Sequence, residues 1–418
     1  MPPSLASPAR TTSVQLVLKR GGRRYCRVRS ALAAAHFALT AGCADLFTGA
    51  PDPGNVFDGP IDGLSPAELA AFVEGDEQFG RPFAPADGLG PIFNNVSCAA
   101  CHSADGRGRP ENVLLRFTGV GGPQLQDKAI PGAEPEVLPA GVAVSGRLPP
   151  PVFGVGLIEA ITESTILALA DSLDSDGDGI SGRPNWVTPP SWVPLGEPGA
   201  EVGLRVGRFS RKAQVSSLLQ QVTEAYHQDI GITSDFLPVE NTNPQVSRAF
   251  EGADRVTDPE IPAAAIRAVL AYIRTLAPPA PGAETASRQR GRAVFDSIGC
   301  ARCHVPALTT GPSSIAALAN RPVWLYSDLL LHDMGPGLAD GRPDGSASGS
   351  EWRTAPLWGL RLMRRFLNGE AFLLHDGRAR SVEEAILLHG GEAQGSRARF
   401  ASLPVRDRAA LLDFVESR

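Results

Sequence analysis

Apolar positions recur at helical spacing in two matching sets along the chain. The spacing predicts a helix over Pro66 to Phe79 and another over Ala286 to Ile298. Each precedes a short Cys/His motif, and Phe93 and Phe295 lie five residues ahead of the first cysteine of their motifs. Each set closes on an apolar-periodic helix, about Ile261 to Leu276 (AAAIRAVLAYIRTL) in the first and Val405 to Val415 (RDRAALLDFV) in the second. A further helix is expected to start near Ser381. Between the sets, Ala277-Pro278-Pro279-Ala280-Pro281-Gly282 reads as a boundary. Residues 105–255 show little periodicity and are expected to form a loop-rich insert. The pattern therefore predicts a mainly α chain: a leader at 1–43, one domain with the insert at 44–280, and a second domain at 281–418.

Composition supports a globular chain of short helices and long loops. Of 418 residues, 43% are hydrophobic and 20% charged, while aromatics are only 6% beside 45 Gly and 37 Pro. The leader stands out by charge. Arg10, Lys19, Arg20, Arg23, Arg24, Arg27 and Arg29 all precede the first acidic residue, Asp45. The apolar stretch Ala31 to Gly42 is too short for a membrane span and fits the core of a signal peptide. It ends in Leu39-Thr40-Ala41-Gly42-Cys43, a bacterial lipoprotein box with Thr40 where an aliphatic residue is usual. Export to the periplasm with a lipid anchor on Cys43 is expected; the alternative is a plain cleavage site with an incidental cysteine. Loss of this basic leader makes the remainder more acidic than the whole chain's −6. That sign disfavours nucleic-acid binding and suits a basic electron-donor protein as partner.

The cysteines carry the chemistry. There are six: Cys26, Cys43, and four in Cys98-Ala99-Ala100-Cys101-His102 and Cys300-Ala301-Arg302-Cys303-His304. CxxCH presents two thiols to the vinyl groups of one haem and the following imidazole to its iron. Zinc would need four neighbouring ligands, but the two pairs are far apart in the chain. A thiol-redox CxxC would sit in a strand–helix setting, which the pattern lacks. Two covalently bound haem c groups are expected, with His102 and His304 as proximal ligands. Terminal helices crossing beside each motif would then give two cytochrome c-like domains.

Six further segments complete the picture: GLGPIFNNVSCAACHSADGRGRP (88–110), DSDGDGISGRPNWV (174–187), KAQVSSLLQQVTEAYHQDIGITS (212–234), LHDMGPGLADG (331–341), EWRTAPLWGL (351–360) and LLHDGRARSVEEAILLHGGEA (373–393). On these residues the chain resembles the di-haem oxidoreductase/peroxidase family, also termed thiol oxidoreductases. That family is related to bacterial di-haem cytochrome c peroxidases and to the methylamine-utilisation di-haem enzymes. The resemblance implies a periplasmic, mostly helical protein with one haem per lobe. It also implies peroxide or another small oxidant as substrate.

Distal ligands separate the functional readings, because a sixth protein ligand closes the iron to peroxide. For the second haem, His389 is the leading candidate and Met334 the competitor. The residue corresponding to His389 in the related peroxidases is a methionine, so a bis-His iron here would sit at lower potential. No distal ligand is evident for the first haem. Glu159, in the apolar run Pro150 to Glu159, is the candidate acid–base group there; buried among apolar neighbours it would be a weak acid. Gln214 and His227 are weaker distal-side candidates; relatives are expected to carry Asn at the position of His227. Asp174, Asp176 and Asp178 have the i, i+2, i+4 spacing of calcium ligands, although Asn185 stands where a twelfth-position Glu would be. An Asp/Gly-rich turn is the plainer reading. The related peroxidases bind calcium between their haems. Among Trp186, Trp192, Trp324, Trp352 and Trp358, Trp186 is the candidate to lie between the haems. His332 and His375 are expected to make hydrogen bonds rather than bind iron. Three functions follow: a peroxidase-like enzyme with the first haem reactive and the second passing electrons, an electron-transfer cytochrome with both irons closed, and a redox sensor.

Overall fold

The computed structural model describes residues 53–102, 106–246 and 253–418. The leader, with Cys26 and Cys43, lies outside the described residues. Among these residues are eleven α-helices and ten strands of two to four residues, the strands paired as five two-stranded antiparallel sheets. No helix is long and apolar enough to cross a membrane.

Eight helices position the sites: α1 (Pro66–Gly80), α2 (Cys98–Cys101), α3 (Val155–Ala160), α4 (Leu218–Ala225), α5 (Ala263–Thr275), α6 (Ala286–Ser297), α7 (Val382–Leu388) and α8 (Val405–Glu416). Helix α1 starts where Ser65 and Glu68 close a capping box, and α6 starts where the Thr285 hydroxyl accepts the Arg288 amide. Both stop where the backbone leaves helical angles, at Arg81 and Ile298.

The internal repeat is a pair of crossings with the same side-chain arithmetic. Helix α1 crosses α5 at Gly75, where an added Cβ would overlap the Ala268 carbonyl oxygen and crowd the Tyr272 Cβ. Helix α6 crosses α8 at Gly291, where an added Cβ would overlap the Ala410 carbonyl oxygen and crowd the Phe414 Cβ. Glycine lets the backbones approach to contact. One turn on, at i+4, stand Phe79 and Phe295 on the same helix faces. Phe79 packs on Tyr272 at 5.4 Å and on the His102 ring at 6.0 Å. Phe295 packs on Phe414 at 5.5 Å and on the His304 ring at 6.4 Å. The partner of Phe295 is therefore Phe79, not Phe93. Phe93 sits in a two-residue strand paired with Lys128–Ala129, because its sequence distance to the motif is spanned by extended chain instead of helix.

Two apolar clusters follow these crossings. One gathers α1, α3, α4 and α5 with residues 308–330, and the other gathers α6 and α8 with residues 363–382. Residues 52–418 nonetheless group as one compact unit. The insert explains why. Its strand Leu114–Phe117 pairs with Val144–Arg147, and Leu148 just beyond joins the second cluster, its amide donating to the His375 carbonyl.

Candidate haem sites

The first site is built on one turn of helix. Ser97 caps α2, its Oγ accepting the Ala100 amide at 3.1 Å, so Cys98 and Cys101 share a turn and His102 follows directly. Asn112 holds the Ala100 carbonyl at 3.1 Å. His102 is half-buried; desolvation pulls its pKa down to about 4, so the imidazole is neutral with a lone pair to give. Cys98, Cys101 and His102 line a cavity of about 420 Å³. Gln214, Gln220 and Glu224 line the same cavity. Burial raises the Glu224 pKa despite a hydrogen bond from Gln220 Nε2 at 2.8 Å, and the Gln214 Oε1 is buried without a partner. His102 is the one imidazole among the described lining residues, and no methionine lines this cavity.

The second site has a different opposite wall. Gly299, at φ +88°, reverses the chain out of α6 into a 3₁₀ turn carrying Cys300, and the His304 amide closes onto the Cys300 carbonyl at 3.0 Å. The His304 Nδ1–H donates to the Tyr326 carbonyl at 2.9 Å, and the His389 Nδ1–H donates to the Ala385 carbonyl at 2.7 Å. A carbonyl only accepts, so each Nδ1 carries the proton and each Nε2 keeps its lone pair. A carbonyl on Nδ1 fixes the tautomer and the ring orientation, leaving Nε2 to face a metal. Both rings line one cavity of about 220 Å³ together with Cys300, Cys303 and Met334. Burial lowers both pKa values, His304 to about 4. His389 stands at the C-terminal end of α7, which Ser381 caps.

The flanking histidines are committed elsewhere. His332 is buried, yet Asp328 at Nε2 (2.8 Å) and Glu392 at Nδ1 (2.6 Å) hold its pKa well above the usual histidine value. His375 stacks face to face on Trp352, with ring centroids 3.6 Å apart.

Several expected residues lie elsewhere. Glu159 is buried but is not among the residues lining the first cavity. Its two oxygens are held by Arg274 at 2.6 and 3.0 Å, and it accepts the Leu218 amide at 3.3 Å. It is a structural ion pair, because α3 turns it toward α5. The His227 Nε2–H donates to the Val239 carbonyl at 2.9 Å, and His227 also lies outside the cavity. The acidic turn groups Asp171, Asp174 and Asp176 within metal-ligating reach, whereas Asp178 turns away to pair with Arg302. Asn185 serves neither: it is buried, donating to the Lys212 and Asp344 carbonyls. Trp186 is 40% exposed and lines neither cavity, while Trp352 lines the second and Trp358 the first. Glu224 was missed; its signal was a lone acid on the otherwise uncharged helix LLQQVTEA.

A family profile described as "Di-haem oxidoreductase, putative peroxidase" matches residues 36–121 and 125–418. The chain belongs to the di-haem oxidoreductase family. The family implies haem as cofactor, and the donor sets of these two cavities suit it: paired cysteines, a neutral imidazole and an apolar wall. No curated protein is matched. Two solved structures resemble this di-haem oxidoreductase distantly. Hydrazine synthase from Kuenenia stuttgartiensis, pressurised with xenon, shares 14% identity with a TM-score of 0.41, covering 100% of this chain and 99% of that one. A MauG-like protein associated with microbial copper homeostasis shares 15% identity with a TM-score of 0.34, covering 89% and 95%.

Proposed function

We propose that this di-haem oxidoreductase is a periplasmic, peroxidase-like enzyme: hydrogen peroxide, two electrons and two protons become two waters in the first cavity, with electrons arriving through the second. Haem c, attached through Cys98 and Cys101 and through Cys300 and Cys303, supplies the redox chemistry when bound. The observation that carries the reading is the asymmetry between cavities. The second offers His389 as a second imidazole whose Nε2 would be free to hold iron, while the first has, among its described lining residues, no imidazole besides His102 and no methionine, its other polar groups being amides, serines, arginines and the carboxyls of Glu224 and Asp229.

The residues of the first cavity suit this chemistry. Glu224, whose carboxyl burial makes a weaker acid than usual, is placed on the cavity wall to pass a proton to a departing oxygen. Gln214 has a free buried oxygen to orient a small hydrogen-bond donor such as peroxide. Glu224 thereby takes the role expected of Glu159. The donor is a small basic electron-transfer protein drawn to an acidic surface, and Cys43 is a lipid attachment point. Calcium, if held, uses Asp171 with Asp174 and Asp176.

Electron paramagnetic resonance of the oxidised and half-reduced protein, followed by peroxide turnover, tests the proposal. A high-spin component with turnover supports it. Two low-spin signals in both states without turnover would make this a closed electron-transfer cytochrome.

A further inference from the structure

The two cavities share five lining residues: Arg107, Arg211, Arg353, Ala355 and Pro356. Three of the five are arginines. Arg107 and Arg211 are each only 7% exposed. None of the three has a carboxylate within ion-pair distance among the described residues. Arg107 donates once, to the Phe372 carbonyl at 3.1 Å. Arg211 donates to the Leu148 carbonyl at 3.0 and 2.8 Å and to that of Pro149 at 3.5 Å. Arg353 donates to the carbonyls of Ser210 at 3.1 Å and Thr354 at 3.3 Å. A guanidinium has five N–H groups and a full charge, and neutral carbonyls satisfy only some of the first and none of the second.

Nearby cations are treated differently. Arg147 and Arg116 pair with Asp344, and Lys212 pairs with Asp340 at 2.9 Å. Arg208 also lacks an acid partner, but it lines only the first cavity and is spent on the carbonyls of Ile158, Glu159 and Ile161. Burying unpaired cations is costly unless an anion arrives with the ligand. Each cavity serves a haem, and each haem carries two propionates.

We infer that Arg107, Arg211 and Arg353 form one cationic partition that receives a propionate carboxylate from each haem, so that a single set of side chains binds both cofactors. The inference rests on the di-haem reading of the two cavities. It gives Arg211, as enclosed as Arg107, a measurable effect on both haems at once. Removing a positive charge beside a haem favours its oxidised form, so both midpoint potentials move negative together.

The experiment uses the full chain carrying both haems, with haem per chain counted first by pyridine haemochromogen. A count other than two defeats the di-haem reading itself and is seen before any potential is measured. Arg211→Gln is then compared with wild type by spectroelectrochemical titration and by resonance Raman of the propionate-bending modes. The expected result is a negative shift of both potentials and a change in the bending modes, with Arg211→Lys restoring much of the potential. A shift of one haem alone, or of neither, overturns the shared partition. Should Arg211→Gln fail to accumulate, the wild-type bending modes decide: frequencies of charge-paired propionates support the inference, and those of free solvated propionates overturn it.

Discussion

Glu159 and Glu224 are both acids of the insert, yet their neighbours assign them opposite work. Glu159 is neutralised by Arg274, which Glu197 also engages at 3.0 Å. Glu159→Gln is expected to lower stability by about 2 kcal/mol, the worth of a charged hydrogen-bonded pair with Glu197 still compensating Arg274. Denaturant unfolding measures this, and peroxide turnover of the folded fraction should be unchanged. Glu224 has a hydrogen bond from neutral Gln220 and a wall of the first cavity. Glu224→Gln is expected to cut turnover by about 10²-fold or more while leaving stability and haem spectra near wild type, as loss of a general acid does. Equal turnover in the two proteins would remove Glu224 from the chemistry.

At the scale of elements, the crossings depend on atoms that glycine lacks. Gly75→Ala and Gly291→Ala each force a methyl group against a backbone carbonyl, so the helix pairs must separate. Each is expected to cost about 1–3 kcal/mol, read as a fall in thermal midpoint. The loop after α4 makes a different prediction. Glu240, Asp258 and Glu260 approach one another, and burial followed by mutual repulsion pushes Glu240 up to about 9; burial pushes Glu260 up to about 8. The two glutamates are protonated when folded at neutral pH and ionised when unfolded, so their raised values favour the fold at low pH. Stability is lost as pH rises through about 8 to 9. Thermal midpoints should therefore fall between about pH 6 and about pH 9, and Glu240→Gln should flatten that fall. The helices themselves were legible in the chain: α1, α5, α6 and α8 fall within two residues of their periodic patterns, because each buries one stripe against one partner. Glu159 misled because an apolar run signals burial and says nothing of the cation that meets it. Arg274 lies 115 residues away, and pairings of that range leave no local trace. The same applies to Phe79, whose kinship to Phe295 follows helix faces and not distance to the motif.

For the whole molecule, two similar helix crossings carry two dissimilar sites, and the dissimilarity comes from what each receives after its CxxCH. The second set returns α7 over its cavity and ends it at His389, with Nδ1 satisfied and Nε2 free. The first set receives the loop-rich insert, whose α4 brings Gln220 and Glu224 to the cavity. Met334 also lines the second cavity, so it is the rival ligand. Two substitutions separate them. With His389 on the iron, His389→Met exchanges an imidazole for a thioether, which stabilises the reduced metal, and the second haem's potential should rise while its spectrum stays low-spin. Met334→Leu should then leave that potential and spectrum near wild type. With Met334 on the iron the pattern inverts: Met334→Leu opens the second haem to a high-spin state, and His389→Met changes little. The first haem reports independently, since neither substituted residue lines its cavity. Its signal should hold constant through both variants, and a concerted change at both haems would mean that the two cavities respond as one.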